Sequence, residues 1–570
     1  MLWVVDGNGR GRVVTSDAWA RGEKQHGGRV AGAIVYNGEL YNDDELREEL
    51  QQRGVVFTSG SDTETVVAAI GVWGERAVDR LRGMYAVAWV DVEKGRLLLA
   101  RDPLGIKPLY FACVQSDGRD VVYVGSEVKA VLAGEGVDAR PDPVVVSSYL
   151  TTIRTTLGER TLYRGISTLE PGQRVVFSAD GARMKRSGWS WWEGAGGDGA
   201  EQVMDVEGVR GMVVDSVKRH LRSDVPVCCL LSGGLDSSIV ARCARDLPVG
   251  FREREMTTFC AGADAGSGGS DDFAFASVMA KEVGSRHVEA RVTREMFKER
   301  WSSMVSRLAV PLSTPNEVAI NEVARTLRGM GYTVALSGEG ADELFGGYDV
   351  IMGLCAKMVR ESGAAWREQG GRFHLDLAAW VPVDAKDTVL KGDVHAAGER
   401  DLVLVGEYER IFRECAAGVG DADGLQAHLR FQRRVNLAGL LLRLDQATML
   451  ESVEGRTPLA DQVVACAAER LAMGMKFVEG EGGVGGVQHR TKIALREGFG
   501  SVLPREIAVR PKASFPLPFQ GWVGDMAGVL RESRFAKEWF TEEAIETVCR
   551  YPEQAWKFAW PMVNLAVWRG

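Results

Sequence analysis

VPVCCLLSGGLDSSIVARCARDL, residues 225–247, is the segment around which the chain is organised. Val225 to Leu231 form a continuous apolar run with the character of a buried strand, SSIVARCARDL has helical periodicity, and a pair of glycines joins the two. A strand feeding a helix through so short a loop is half of a βα unit and implies a parallel sheet. In the loop Ser232-Gly233-Gly234-Leu235-Asp236-Ser237-Ser238, the glycines let the backbone approach a phosphate. The N–H groups of the following helix N-terminus then point at its charge. No Lys-Ser/Thr pair closes the loop, so pyrophosphate suits it better than γ-phosphoryl transfer. Asp236 adds a carboxylate for Mg2+ against the same phosphates. A plain strand-to-helix turn, with Ser and Asp capping the helix, is the alternative.

A second loop separates the two. SGEGADELFGGY (337–348) again follows a strand-like run and brings Glu339, Asp342 and Glu343 within five residues. Crowding buried carboxylates is costly unless a cation neutralises them. Asp236 and Asp342 are therefore the expected Mg2+ ligands, with helix capping the plainer role for Asp342 and Glu343.

Toward the N-terminus the grammar differs. RVAGAIVYNGELY, GMYAVAWVDVEKGRLLLARD, VVYVGSEVKAVL and QRVVFSADG are short β-type runs separated by turn residues, which predicts packed antiparallel sheets. Two helices interrupt them, one after Asn42-Asp43-Asp44 and one after Ser61-Asp62, each with an N-cap residue available. EGAGGDGAEQ (193–202) is Gly-rich and aperiodic, as an interdomain linker would be. Two domains are expected, residues 1–192 and 203–570, because single cores stop growing beyond about 250–300 residues. The C-terminal part looks largely helical, and EGEGGVGGVQ (479–488) reads as a surface loop.

With 69 basic and 78 acidic residues the net charge is −9, which argues against a nucleic-acid partner and favours small substrates. The nine cysteines show no Cys-x-x-Cys spacing and read as reduced. No apolar stretch approaches the roughly 20 residues of a membrane span, and Asp6 and Arg10 interrupt the first segment too early for a signal peptide. A cytoplasmic location without membrane contact is the expectation.

These motifs, taken together, resemble the asparagine synthetase family, in which a class II glutamine amidotransferase domain precedes an ATP-pyrophosphatase synthetase domain. The synthetase half carries SGGLDSS, SGEGADELFGGY, LDQATMLESVEGRTPLAD (444–461) and TKIALREGFGSVLPREIAVRPK (491–512). The other half carries NGELYN (37–42), SDTET (61–65), GMYAVAWVD (83–91) and ARDPLGIKPLYF (100–111). The resemblance implies a truncated α+β sandwich of the N-terminal-nucleophile (Ntn, αββα) type, followed by an α/β adenine-nucleotide α-hydrolase-like domain with helical additions. It implies ATP and Mg2+, with Leu231, Ser232, Gly233, Gly234, Asp236, Ser237, Ala261, Ser337, Gly338 and Lys492 at the nucleotide. Glu339 would serve formation of an acyl-adenylate, and Lys512 would offset charge on the α-phosphate and pyrophosphate. Asn37, Gly38, Glu39 and Asp62 resemble the positions that bind glutamine. Aspartate and ammonia are the implied reactants, and a homodimer is implied by resemblance alone.

Two departures matter. Family glutaminases use an N-terminal cysteine, whereas residue 2 here is Leu2 and the first cysteine is Cys113, inside the domain. Either the true start lies upstream, or the domain keeps a structural role, as in the related β-lactam synthetases. The acceptor region departs too, since Asn436-Leu437-Ala438-Gly439 stands where asparagine-forming members often have an acidic stretch. Arg443 could pair bidentately with a substrate carboxylate, a plain charge on the helix surface being the alternative. Aspartate and a different carboxylic acid, amidated or cyclised, both stay open, as does a non-catalytic scaffold.

Overall fold

The computed structural model describes residues 2–6, 11–14, 30–116, 119–178, 185–188, 204–248, 251, 255–263, 272–420, 423–480, 490–512 and 517–570. The linker expected at 193–202 and most of the loop expected at 479–488 lie outside these residues.

The N-terminal half holds two antiparallel sheets. Strands β1 (Leu2–Asp6), β2 (Gly11–Val14), β3 (Val30–Leu40), β4 (Gly83–Asp91), β5 (Arg96–Arg101), β11 (Gln173–Ser178) and β12 (Lys185–Gly188) form one, in the order β12-β11-β5-β4-β3-β1-β2. Strands β6 (Tyr110–Ser116), β7 (Arg119–Gly125), β8 (Thr156–Leu157), β9 (Arg160–Thr161) and β10 (Ser167–Thr168) form the other, in the order β7-β6-β10-β9-β8. Period-2 alternation on β4 explains the layering. Ala86 and Ala88 face the second sheet, against Leu109 and Phe111, while Tyr85 and Val87 face the helices Asp43–Gln52 and Asp62–Trp73. The helices Val128–Leu132 and Pro143–Thr152 cover the far side of the second sheet, completing an α-β-β-α stack.

Two local expectations need correction. Residues 128–132 of VVYVGSEVKAVL are helical rather than extended. Neither Asn42 nor Ser61 caps its helix with a side chain. Asn42 instead donates to Arg80 O at 2.9 Å and accepts from Arg82 N at 2.9 Å, tying down a loop distant in sequence.

The second half contains the predicted parallel sheet. Strands β13 (Val227–Leu230), β14 (Thr257–Ala263), β15 (Arg286–Val292), β16 (Val334–Leu336) and β17 (Glu454–Arg456) run in the order β15-β14-β13-β16-β17, all parallel. From β13 the chain passes to β14 on one side, while β16 pairs on the other. Such a switch point opens a crevice at the carboxyl ends of the two strands. SGGLDSS leaves β13 there and SGEGADE leaves β16 beside it. Helices make up most of the remainder to residue 570. Among the described residues no helix is long and apolar enough to cross a membrane.

Candidate nucleotide and acceptor site

The two loops touch. A Cβ built on Gly338 would lie 2.6 Å from Ser237 N and 2.9 Å from the Asp236 carbonyl carbon, so only glycine allows this approach. Gly233 has φ +66°, and a Cβ there would meet the Phe275 backbone at 2.3 Å. Inside the first loop, Ser232 N–H donates to Ser237 Oγ at 3.2 Å and Gly234 N–H donates to Ser232 Oγ at 3.3 Å. No side chain caps the helix Leu235–Asp246, so its leading N–H groups stay open to an anion.

Around this junction lies a cavity of about 210 Å3, lined by Leu231, Ser232, Gly234, Asp236, Ser237, Ala261, Ser337, Gly338, Glu339, Asp342, Lys492 and Lys512. The expected nucleotide residues thus converge, Gly233 supporting the loop from below. The same wall includes Asp272, Arg496 and Arg510, which the sequence reading did not single out. Arg510 donates to Ser232 O at 3.1 Å and pairs with Asp272 at 2.6 Å, bracing the first loop. Its position two residues before Lys512 was the available signal.

Lysine supplies the neutralising cation in this structure. Lys492 Nζ lies 2.6 Å from Asp236 Oδ2 and 2.7 Å from Asp342 Oδ1, and Lys512 Nζ lies 2.7 Å from Asp342 Oδ2. Burial opposes ionisation of Asp342, but the two ammonium groups prevail and hold its pKa below the usual carboxylate range. Burial likewise opposes the charge on Lys512, and Asp342 and Asp236 outweigh it, raising its pKa. Glu343 goes the other way, pushed up by burial and by Asp342. It accepts a hydrogen bond from Tyr348 Oη and another from Asn436 Nδ2 at 3.2 Å. Neither Asp342 nor Glu343 caps the short helix Ala341–Phe345, whose N-cap position is Gly340.

The residues fit Mg2+. Asp236 and Asp342 are hard oxygen donors, and Asp342 Oδ1 makes no well-directed hydrogen bond although the ammonium is close. A Cβ at Gly347 would fall 2.1 Å from Asp342 Oδ1, so glycine keeps that side clear. Elsewhere, Cys355, His374 and His428 bring ligand atoms within 4.8 Å of one another. There His428 Nδ1 and His374 Nε2 already share a hydrogen bond of 2.9 Å.

Arg443 Nη2 donates to Glu339 Oε1 at 2.8 Å and Arg443 Nη1 to Thr314 Oγ1 at 3.3 Å. Glu339 lines the first cavity, and Arg443 and Thr314 line a second of about 240 Å3.

The glutamine-like residues sit on β3 and at the start of the helix Asp62–Trp73. Asn37 Nδ2 donates to Ser126 Oγ at 3.1 Å, Leu40 N–H donates to Asp62 Oδ2 at 3.1 Å, and a Cβ on Gly38 would meet Met84 O at 2.1 Å. Glu39 turns toward the other half, 3.2 Å from Arg456 Nη2, with burial pushing its pKa up to about 7 against the pull of that cation. Arg456 O accepts from Ser337 N at 2.8 Å, so one residue touches both sites.

Comparison with known proteins finds relatives for both halves of the chain. The family model described as "Asparagine synthase" matches residues 208–570, and that described as "Glutamine amidotransferase domain" matches residues 14–190. "Asparagine synthetase [glutamine-hydrolyzing] 1" of Bacillus subtilis is 26% identical over 563 residues, covering 94% of this chain and 85% of the relative. A "Putative asparagine synthetase [glutamine-hydrolyzing]" of Mycobacterium bovis is 31% identical over 88% of this chain and 77% of its own. "Amidase chyE" of Penicillium rubens is 29% identical over 58% of this chain and 49% of its own.

Proposed function

Because this chain belongs to the asparagine synthase family, we propose that it is an ATP-dependent carbon–nitrogen ligase that adenylates a carboxylate and then amidates it with ammonia. The observation that carries this reading is the meeting of Asp236, Asp342, Lys492 and Lys512 over the SGGLDSS and SGEGADE loops. Residues 1–192 and 203–570 are its two functional units, the first amidotransferase-like and the second the synthetase.

ATP seats its phosphates on Ser232, Gly234 and Ser237 and on the open N–H groups of the helix behind them. Asp236 and Asp342 would hold Mg2+, which supplies neutralisation of phosphate charge. Leu231, Ala261, Ser337 and Gly338 line the nucleotide. An oxygen of the acceptor carboxylate attacks the α-phosphorus, the bond to the bridging oxygen breaks, and pyrophosphate leaves. Lys492 and Lys512 stabilise the charge that develops, an effect large in a preorganised site shielded from water. Glu339, steadied by Arg443, lies where the acyl-adenylate forms. Ammonia attacks its carbonyl carbon, AMP departs, and the extra proton is lost to give the amide. Holding both reactants in one cavity lowers the barrier by proximity and limits hydrolysis.

Asn37, Gly38, Glu39 and Asp62 are the glutamine-binding positions of this reading, and glutamine serves as nitrogen donor where a cysteine thiol is supplied beside them. The relatives' names make aspartate the first acceptor to test. A different carboxylic acid is the second reading, favoured by the absence of acidic side chains at residues 436–439.

Release of pyrophosphate from ATP, with ammonium and a panel of acids, tests the proposal. Asp236→Asn should lower that rate by about 100-fold or more without unfolding the protein. Retained turnover would remove Asp236 from the phosphate chemistry.

A further inference from the structure

The second cavity lies where the two halves meet, with Ile153 and Leu157 from the first half and Trp380, Tyr408, Ile411 and Leu440 from the second among its walls. Resting on the reading of the first cavity as the ATP site, we propose that this cavity receives the acceptor. We further propose that the acceptor is a carboxylic acid with an apolar body and no free ammonium group, held at its far end by Arg154.

Position supports the first part. Arg443 lines this cavity and pairs with Glu339 of the first. A carboxylate reaching from here toward the nucleotide therefore meets a guanidinium, the side chain best shaped to pair with it.

Charge supports the second. Arg154, Arg434 and Arg443 line the cavity; Arg434 is paired with Glu414 and Arg443 with Glu339, which leaves Arg154 as the cation without an ion pair among these three, while Arg101 donates its N–H groups to the carbonyls of Gly105, Lys107 and Leu169. Glu170 is the one carboxylate among the described lining residues, and it lies 3.6 Å from both Arg410 and Arg434. An α-ammonium group, as aspartate carries, would meet the unpaired Arg154 guanidinium and find each nearby carboxylate already engaged by an arginine. The aliphatic and aromatic walls suit an apolar body, which gains by leaving water.

Arg154 is built for a ligand. Among the described residues it forms no ion pair, and its guanidinium meets only the Asn436 side-chain oxygen, at 3.2 Å from Nη2. Ile153 just before it has φ +52°, a conformation that β-branched residues avoid, and this turn at the end of the helix Pro143–Thr152 directs the chain into the cavity. On the facing helix, a Cβ at Gly439 would sit 2.2 Å from Arg154 Nη1. The glycine leaves the guanidinium its place.

The test compares aspartate, succinate and phenylsuccinate as acceptors in pyrophosphate release with ammonium. Succinate is aspartate without its ammonium, and phenylsuccinate adds an apolar body while keeping a second carboxylate for Arg154. We expect kcat/KM to rise along that series by about 10-fold or more. Arg154→Ala should raise KM for phenylsuccinate about 10-fold or more and leave KM for ATP unchanged. Gly439→Ala should reproduce this loss, because its new methyl group collides only with the flexible end of Arg154, so the fold is kept. Preference for aspartate, or an unchanged acceptor KM in both variants, overturns the proposal. If ATP with Mg2+ still raises the melting temperature but neither succinate nor phenylsuccinate turns over, this proposal fails alone. If ATP does not bind, the nucleotide reading fails with it.

Discussion

Asp342 keeps a negative charge inside the protein because Lys492 and Lys512 meet it, whereas Glu343, one residue on, is pushed toward its neutral form. Adjacent carboxylates so differently held follow from contacts that no sequence pattern specifies. The acidic loop was legible as a charged cluster needing a cation; that lysine 492 would supply one was not, because it arrives from 150 residues downstream of Asp342 by sequence number. His220 gives a residue-scale prediction. Burial lowers its pKa from 6.5 to about 4, and its ring packs on Tyr41 with centroids 3.9 Å apart. A lowered folded pKa means that stability is fully present above 6.5 and is lost as pH falls toward 4. Between neutrality and pH 5 the loss should be about 2 kcal/mol. His220→Phe should flatten that part of the stability profile measured by urea unfolding; an unchanged slope would assign the acid sensitivity elsewhere.

At the scale of elements, the βα grammar from Val225 to Leu247 was readable because an apolar strand, paired glycines and a helical pattern fall in order. The N-cap residues Asn42 and Ser61 were misread because local propensity competes with partners brought by folding, such as the Arg80–Arg82 loop for Asn42. The order of the strands, with β13 between β14 and β16, was also hidden, since pairing order is a property of the sheet and not of any one segment. That order is what makes the two loops neighbours, and Gly338 is their point of contact. Gly338→Ala should push the loops apart and weaken ATP–Mg2+ binding by about 10-fold or more in calorimetric titration. Unchanged affinity would show that close approach of the loops is not needed to hold the nucleotide.

Across the whole molecule, buried ion pairs join the halves. Lys107 Nζ lies 2.8 Å from Asp445 Oδ1, with both side chains nearly out of solvent, and Arg82 pairs with Asp461 at 3.1 Å. Burial works against the charge on Lys107, but Asp445 prevails and raises its pKa. The sequence showed both partners inside family-like motifs, ARDPLGIKPLYF and LDQATMLESVEGRTPLAD, but could not show that they face each other. Lys107→Met alone should destabilise the protein by about 3–5 kcal/mol, because Asp445 is left buried and uncompensated. Adding Asp445→Leu should recover much of that loss in chemical denaturation; a double variant no more stable than the single one would mean the pair does not act as a unit. Joining the halves keeps Arg154 beside Gly439 and Arg456 between Glu39 and Ser337. Attack of the acceptor carboxylate on the α-phosphorus leaves an isotopic trace in the products. With the best acceptor of the panel labelled by oxygen-18 in its carboxylate, mass spectrometry of the products should find one label in AMP, alongside pyrophosphate. Formation of ADP and phosphate, or of AMP without the label, would contradict it.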